Sequence, residues 1–244
     1  MKNYLALILT FTLSLATRQA KDSEWSVRDN LEKAEQNLSK DPAKAIYYGS
    51  QALTAATSAK EQEQIAKAQY IIASAYINIG DYVTSYEYLV EAEKNCPESD
   101  KQLMGDILLS TSYTYQKIKD FDRAFKYLEK AQELFEELKD TASIAKCANY
   151  KGLIYIAIPD NEKAEKCFQE SLRLNRMIGN KAGIAQNLNN MSFIDGDPLT
   201  TISQLKEAIS INESLNRTWF LVKTTTTWVT STGGPGTILL PWMH

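Results

Sequence analysis

The sequence predicts an all-α solenoid of stacked antiparallel helix pairs, on three observations. A spaced motif recurs at a nearly fixed period, two helical apolar stripes fill each period, and a short turn ending in aspartate separates the stripes. The motif is a small residue, tyrosine three places on, aspartate eight on, and alanine or serine twelve on. It reads Ala73, Tyr76, Asp81, Ser85; then Ser112, Tyr115, Asp120, Ala124; then Gly152, Tyr155, Asp160, Ala164. Its second half also stands upstream as Asp41 and Ala45, so the closing members at 45, 85, 124 and 164 are 40, 39 and 40 residues apart. A period of this size marks a repeat array, in which one hairpin cannot bury its own apolar stripe and neighbours must stack.

Residues 1–20 read differently from the rest. Lys2 precedes an apolar run from Tyr4 to Ala16 broken only by threonine and serine, and small residues follow at Ala16 and Ala20. This is the layout of a secretory signal peptide, too short for a membrane span of about 20 apolar residues. The mature chain is therefore expected to be exported, with a bacterial periplasm as its compartment and no further membrane span. Three scattered cysteines, Cys96, Cys147 and Cys167, form no disulfide framework and read as small apolar residues within helices.

Residues 21–217 are expected to hold about five helix-pair repeats. The first unit has Gly49 where a bulky residue is expected, and reads as a capping repeat. In the third unit Leu108, Thr111, Ser112 and Tyr115 share one helical stripe, and Phe121, Ala124, Leu128, Ala131 and Phe135 share the next. Gly80-Asp81, Lys119-Asp120 and Pro159-Asp160 mark the turns, where aspartate can cap the second helix by accepting from its free N–H groups. Ala73, Ser112 and Gly152 let paired helices approach closely, and Leu89, Leu128 and Phe168 fill the space beside them. The fifth unit offers Asn190-Met191-Ser192 as a first-helix core, with Leu205 and Ala208 on its second helix.

Residues 218–244 break the pattern. From Val222 onward the chain has no acid and no alanine, but a threonine run at 224–227 and two tryptophans. Such a composition alone would suit a strand-like or irregular tail. The genetic code offers another reading, the loss of one nucleotide at codon 222. Restoring it forces glycine at 229, because TGG of Trp228 then supplies the first base of a GGT codon. Tyrosine, aspartate and a small residue are permitted at the motif distances beyond it. The tail is thus expected to be the misread start of a further repeat, and the chain the front part of a longer protein.

The small residue, tyrosine, alanine and proline pattern resembles the tetratricopeptide repeat family, most fully at Ala73, Tyr76, Ser85, Leu89, Ala92 and Pro97. The resemblance covers roughly Trp25 to Leu215, with units near 40 residues rather than the usual 34. It implies a right-handed superhelix whose concave wall, lined by first-helix residues, holds a peptide or protein. Carried onto this chain, the wall residues are Lys67, Tyr70, Ser74 and Asn78; then Asp106, Tyr113, Gln116 and Lys117; then Lys146, Asn149, Tyr150 and Leu153. Tyrosine offers large contact area at low entropic cost, but these tyrosines equally suit packing between units. Some family members clamp a terminal carboxylate with lysine, asparagine and arginine. Tyr70, Ser74, Asp106 and Ser110 stand at those places, so that activity is not implied.

Composition narrows the function classes. A formal charge of −3 leaves no electrostatic footprint for nucleic acid. The one histidine is His244, inside the anomalous tail, so the commonest general base and metal ligand are missing from the repeats. No phosphate-binding glycine loop or nucleophile elbow occurs, and no cofactor or metal is expected. Two functions remain: a non-catalytic periplasmic scaffold for a peptide or protein, or the sensory portion of a truncated membrane-bound transcriptional regulator or sensor kinase.

Overall fold

A computed structural model describes residues 26–194 and 197–215. The leader and tail assignments at 1–20 and 218–244 lie outside the described residues. The described residues form α-helices joined by short turns, with no strand among them. In chain order they are α1 (26–37), α2 (Pro42–Ala59), α3 (Gln62–Ile79), α4 (Tyr82–Asn95), α5 (Lys101–Lys117), α6 (Phe121–Glu137), α7 (Thr141–Ala157), α8 (Asn161–Met177), α9 (Lys181–Met191) and α10 (Pro198–Ser214). Two compact units divide at Asp120, α1–α5 in the first and α6–α10 in the second.

Each unit is a run of hairpins packed side by side. In the first, α2 packs on α3, α3 on α4 and α4 on α5, while α3 also touches α5. The second repeats this arrangement, with α7 on α8, α9 on α10, and α7 touching α9. Contact between like helices of successive pairs is what stacking hairpins at a fixed period produces. The fold is all-α, a solenoid of helix pairs.

The capping pattern is nearly uniform. Asp41, Asp81 and Asp160 accept from the backbone N–H of Lys44, Thr84 and Lys163 and so start α2, α4 and α8, as the motif predicts. Three first helices use the same device, which the motif does not record: Asp100 starts α5, Asp140 starts α7 and Asn180 starts α9, whereas α3 begins at Glu61 without a side-chain cap. The N–H bond from Lys44 holds Asp41 below its ordinary range, and the side-chain bonds from Thr84 and Lys163, with the N–H bonds, do the same for Asp81 and Asp160. A lowered folded-state value stabilises the fold above the unfolded carboxylate range and loses that stabilisation as pH falls through the folded values. Melting temperature should therefore be flat above about pH 5 and fall below about pH 4. Asp81→Asn with Asp160→Asn keeps both caps in uncharged form and should flatten the fall, as thermal melts between neutral and acidic pH would read.

The core follows the predicted stripes. Ala124, Leu128, Ala131 and Phe135 are the buried face of α6, and Leu108, Thr111, Ser112 and Tyr115 are buried on α5. A β-carbon on Gly152 would lie 2.5 Å from the Phe168 ring, so the small residue of α7 is what admits the bulky residue of α8. The first pair inverts the arrangement: a β-carbon on Gly49 would meet Ile72 at 2.7 Å, so the bulk missing from α2 comes from α3. Cys96 and Cys147 are buried and Cys167 is half-buried, all as free thiols. Burial pushes the Cys96 thiol up to about 11, so it is a packing residue rather than a nucleophile.

The fifth unit keeps most of the expected core, with Asn190 and Ser192 buried and Met191 half-buried. The buried residues of α9 are Ala185, Asn187, Leu188 and Asn190, while Ser192 ends the helix and Met191 is half-buried. The helix has 11 residues, shorter than α5 or α7 with 17, so it ends at the small-residue position that lies within the helix in those two. On α10, Leu205 and Ala208 are buried as predicted.

Candidate functional site

In the first unit, α3 and α5 carry the predicted wall residues on neighbouring first helices. Lys67 is paired with Glu35 of α1 at 3.2 Å, with both side chains partly exposed. Beside this pair, between α1 and α3, lies an open cleft of about 690 Å³ lined by Leu31, Glu32, Glu35 and Lys67 among others. Arg28 pairs with Glu32 on its rim at 3.5 Å. The cleft is polar at its mouth and apolar below, where Val27 and Leu31 belong to the core.

Tyr70 is half-buried as a residue, but its hydroxyl lies inside. The ring packs against two core clusters, one holding Val27, Leu31 and Ile71 and the other Leu89 and Ile107. Burial pushes the phenol up to about 12, with the Asp106 carboxylate adding to the shift while Ser110 and Ser74 hydrogen bonds oppose it. It stays protonated at neutral pH and serves as a pin between repeats. Ser74 donates to the Tyr70 carbonyl at 2.9 Å. Asn78 is exposed on the last turn of α3 and donates to the Leu38 carbonyl at 2.7 Å, tying α3 to the end of α1.

On α5 the half-buried Tyr113 lies beside the exposed Lys117. The Lys117 ammonium sits 4.9 Å from the centre of the Tyr113 ring, a cation–π contact. Tyr82 meets that ring edge-on at 6.5 Å, and burial raises the Tyr113 phenol above its usual value. Gln116 is half-buried, and its Oε1 has no hydrogen-bond partner among the described residues. An acceptor in that state gains from any donor a ligand brings.

The remaining predicted residues lie on α7 in the second unit. Lys146 is exposed and Tyr150 half-buried. Asn149 is buried, and its Oδ1 accepts from Asn190 Nδ2 of α9 at 2.9 Å. The structure therefore brings Lys67, Tyr70, Ser74, Asn78, Tyr113, Gln116 and Lys117 together in one unit and Lys146, Asn149 and Tyr150 in the other. Sequence reasoning missed Glu35, Arg28 and Glu32, because α1 carries no full copy of the motif to place them.

The arrangement offers contact area, an ion pair, a cation–π pair and single hydrogen-bonding groups. No group of three or more His, Cys, Asp or Glu residues able to hold a metal occurs among the described residues. No described helix is long and apolar enough to cross a membrane.

Comparison with known proteins gives a family and a fold. Residues 32–175 match the family model described as 26S proteasome subunit RPN7. No curated protein matches the sequence. Among solved structures, the apo form of RapI is similar at 16% identity and a TM-score of 0.66, over 85% of this chain and 82% of that one. A Rap protein complexed with competence and sporulation factor is similar at 14% identity and a TM-score of 0.67, over 88% of this chain and 63% of that one. Aspartyl phosphate phosphatase F from Bacillus subtilis is similar at 13% identity and a TM-score of 0.64, over 87% of this chain and 59% of that one. This chain thus spans less than two thirds of the last two, and identities this low establish a shared fold alone.

Proposed function

The chain belongs to the family described as 26S proteasome subunit RPN7, and on that premise we propose that it is a non-catalytic scaffold that binds a protein or peptide. The observation that carries this reading is a row on α3 and α5 in which Asn78 and Lys117 are exposed and Lys67 and Tyr113 half-buried. Lys67, Asn78, Tyr113 and Lys117 present cations, an amide and an aromatic face at the surface, while the opposite sides of the same helices are buried in the repeat core. Tetratricopeptide-type recognition along first helices is the mode this surface suits. Ser74 and Gln116 complete the contact set of the first unit, and Tyr70 supports it from within; in the second unit Lys146, Asn149 and Tyr150 of α7 are, by the same resemblance, a separate candidate set, with Asn149 held behind Asn190. A Rap protein with a similar fold is complexed with competence and sporulation factor, which supports ligand binding as a use of the architecture. The leader-like residues 1–20 support export to the periplasm.

The test is affinity capture with the whole chain as bait, comparing it with a Tyr113→Ala and Lys117→Ala variant. A second variant changes an exposed patch on α6, Glu129→Lys with Glu133→Lys. Partners of this surface should be recovered by the native chain and the α6 variant and lost, at least tenfold, with the α5 variant. Equal recovery by all three, with unchanged thermal melts, overturns the assignment of the surface.

A further inference from the structure

The α9–α10 hairpin is built unlike α7–α8. Its apolar cluster consists of Ala185, Leu188 and Ala208, with Leu172, Ile184 and Ile211 half-buried around it. Two of the three buried members are alanines, and Leu188 and Leu205 are the large apolar side chains that the hairpin buries fully. The α7–α8 pair instead closes on Phe168, fully buried against Gly152. Amides also take places that apolar side chains hold elsewhere. Asn212 follows Leu205 and Ala208 at the same spacing by which Phe135 follows Leu128 and Ala131.

Those amides are buried and unmatched. Asn187 is 1% exposed and Asn212 2%. Both polar atoms of Asn187, and Oδ1 of Asn189 and of Asn212, have no hydrogen-bond partner among the described residues. A buried amide in that state has lost its hydration without replacement, which favours any conformation that returns it to water. Polar ties add to the attachment of this hairpin to the preceding pair. They are the Asn190–Asn149 bond at 2.9 Å and the Arg176–Glu207 ion pair at 3.1 Å, whose half-exposed side chains are screened by salt. Unmatched buried polar groups lower the cost of opening the segment that holds them.

We propose that α9–α10 opens from α7–α8 as a unit while α7–α8 stays folded, and that Asn190 is a removable cap on Asn149. Opening returns Asn187 and Asn212 to water and frees the Asn149 carboxamide on the helix that carries Lys146 and Tyr150. The last consequence rests on the proposed role of α7 in partner binding; the opening itself does not.

Hydrogen exchange of the full chain, followed by mass spectrometry without any partner, tests it. Amides in 181–215 should exchange at least tenfold faster than those in 141–178. Asn187→Leu with Asn212→Leu should slow exchange in 181–215 about tenfold, close to 1.4 kcal/mol of opening free energy, and leave 141–178 unchanged. Asn190→Ala, which removes only the tie, should speed exchange in 181–215 alone. One common rate for both segments overturns the proposal. So does faster exchange in the leucine variant, which would mean that the amides are matched in the closed form. Because no partner takes part, neither result bears on whether the α3–α5 surface binds one.

Discussion

Phe168→Ala is expected to destabilise the chain by about 3–5 kcal/mol, the cost of deleting a fully buried aromatic side chain. The ring is completely buried on α8 and fills the space left open by Gly152 on α7. Truncation loses the transfer energy of the ring and leaves a void that two helices held by their neighbours cannot close. Against a total of about 5–15 kcal/mol, one substitution then removes a large share of the stability. Urea unfolding followed by circular dichroism reads it directly. A loss below about 1 kcal/mol would mean that the hairpin collapses around the gap and that the ring is not its keystone.

Gly152→Val approaches the same contact from the other side. The added β-carbon would fall 2.5 Å from one ring atom of Phe168 and 2.7 Å from another, and a flat ring between two helices has no flexible end to move aside. Overpacking of this kind costs about 1–3 kcal/mol or more, while better helix propensity of valine over glycine returns only a few tenths. The informative variant is the pair Gly152→Val with Phe168→Leu. Each change alone should destabilise, and together they should cost about 1–3 kcal/mol less than their sum, because the smaller side chain makes room for the branch. Strict additivity would show that the two residues do not press on each other.

Much of this was legible in the sequence because the same geometric demand recurs at each turn of the array. Small residues at 73, 112 and 152 face a second helix, and aspartates at 41, 81 and 160 cap the helix that follows, so spacing alone located both. What stayed hidden lies where the demand is met by a different residue. Gly49 looked like a defect of a capping repeat until Ile72 was found lying over it. The caps at Asp100, Asp140 and Asn180 keep the 40-residue period, but the equivalent place in the second unit is Glu61, which makes no side-chain cap, so the pattern is not shared by every unit. On α9 the expected Asn190 and Ser192 are buried, but so is Asn187, an asparagine that looks like a surface residue in a linear reading.

The candidate surface was legible in part. First-helix positions beside the small residue place Lys67, Asn78, Tyr113 and Lys117 on the neighbouring helices α3 and α5 of one unit. Spacing could not tell which of them are committed to the scaffold. Tyr70 buries its hydroxyl near Ser74 and Ser110, and Asn149 is held by Asn190, and both facts depend on contacts between repeats. Variants at Tyr70 would therefore confuse loss of folding with loss of binding, whereas Lys117 is exposed and can be changed with the core intact.

The central claim is that the α3–α5 face binds a protein or peptide partner. Titration calorimetry with a partner recovered by the native chain tests it most directly, comparing the native chain with the Tyr113→Ala and Lys117→Ala variant at matched melting temperature. The account predicts at least tenfold weaker binding by the variant. Equal affinity, or a loss produced only by the Glu129→Lys and Glu133→Lys variant on α6, would contradict it.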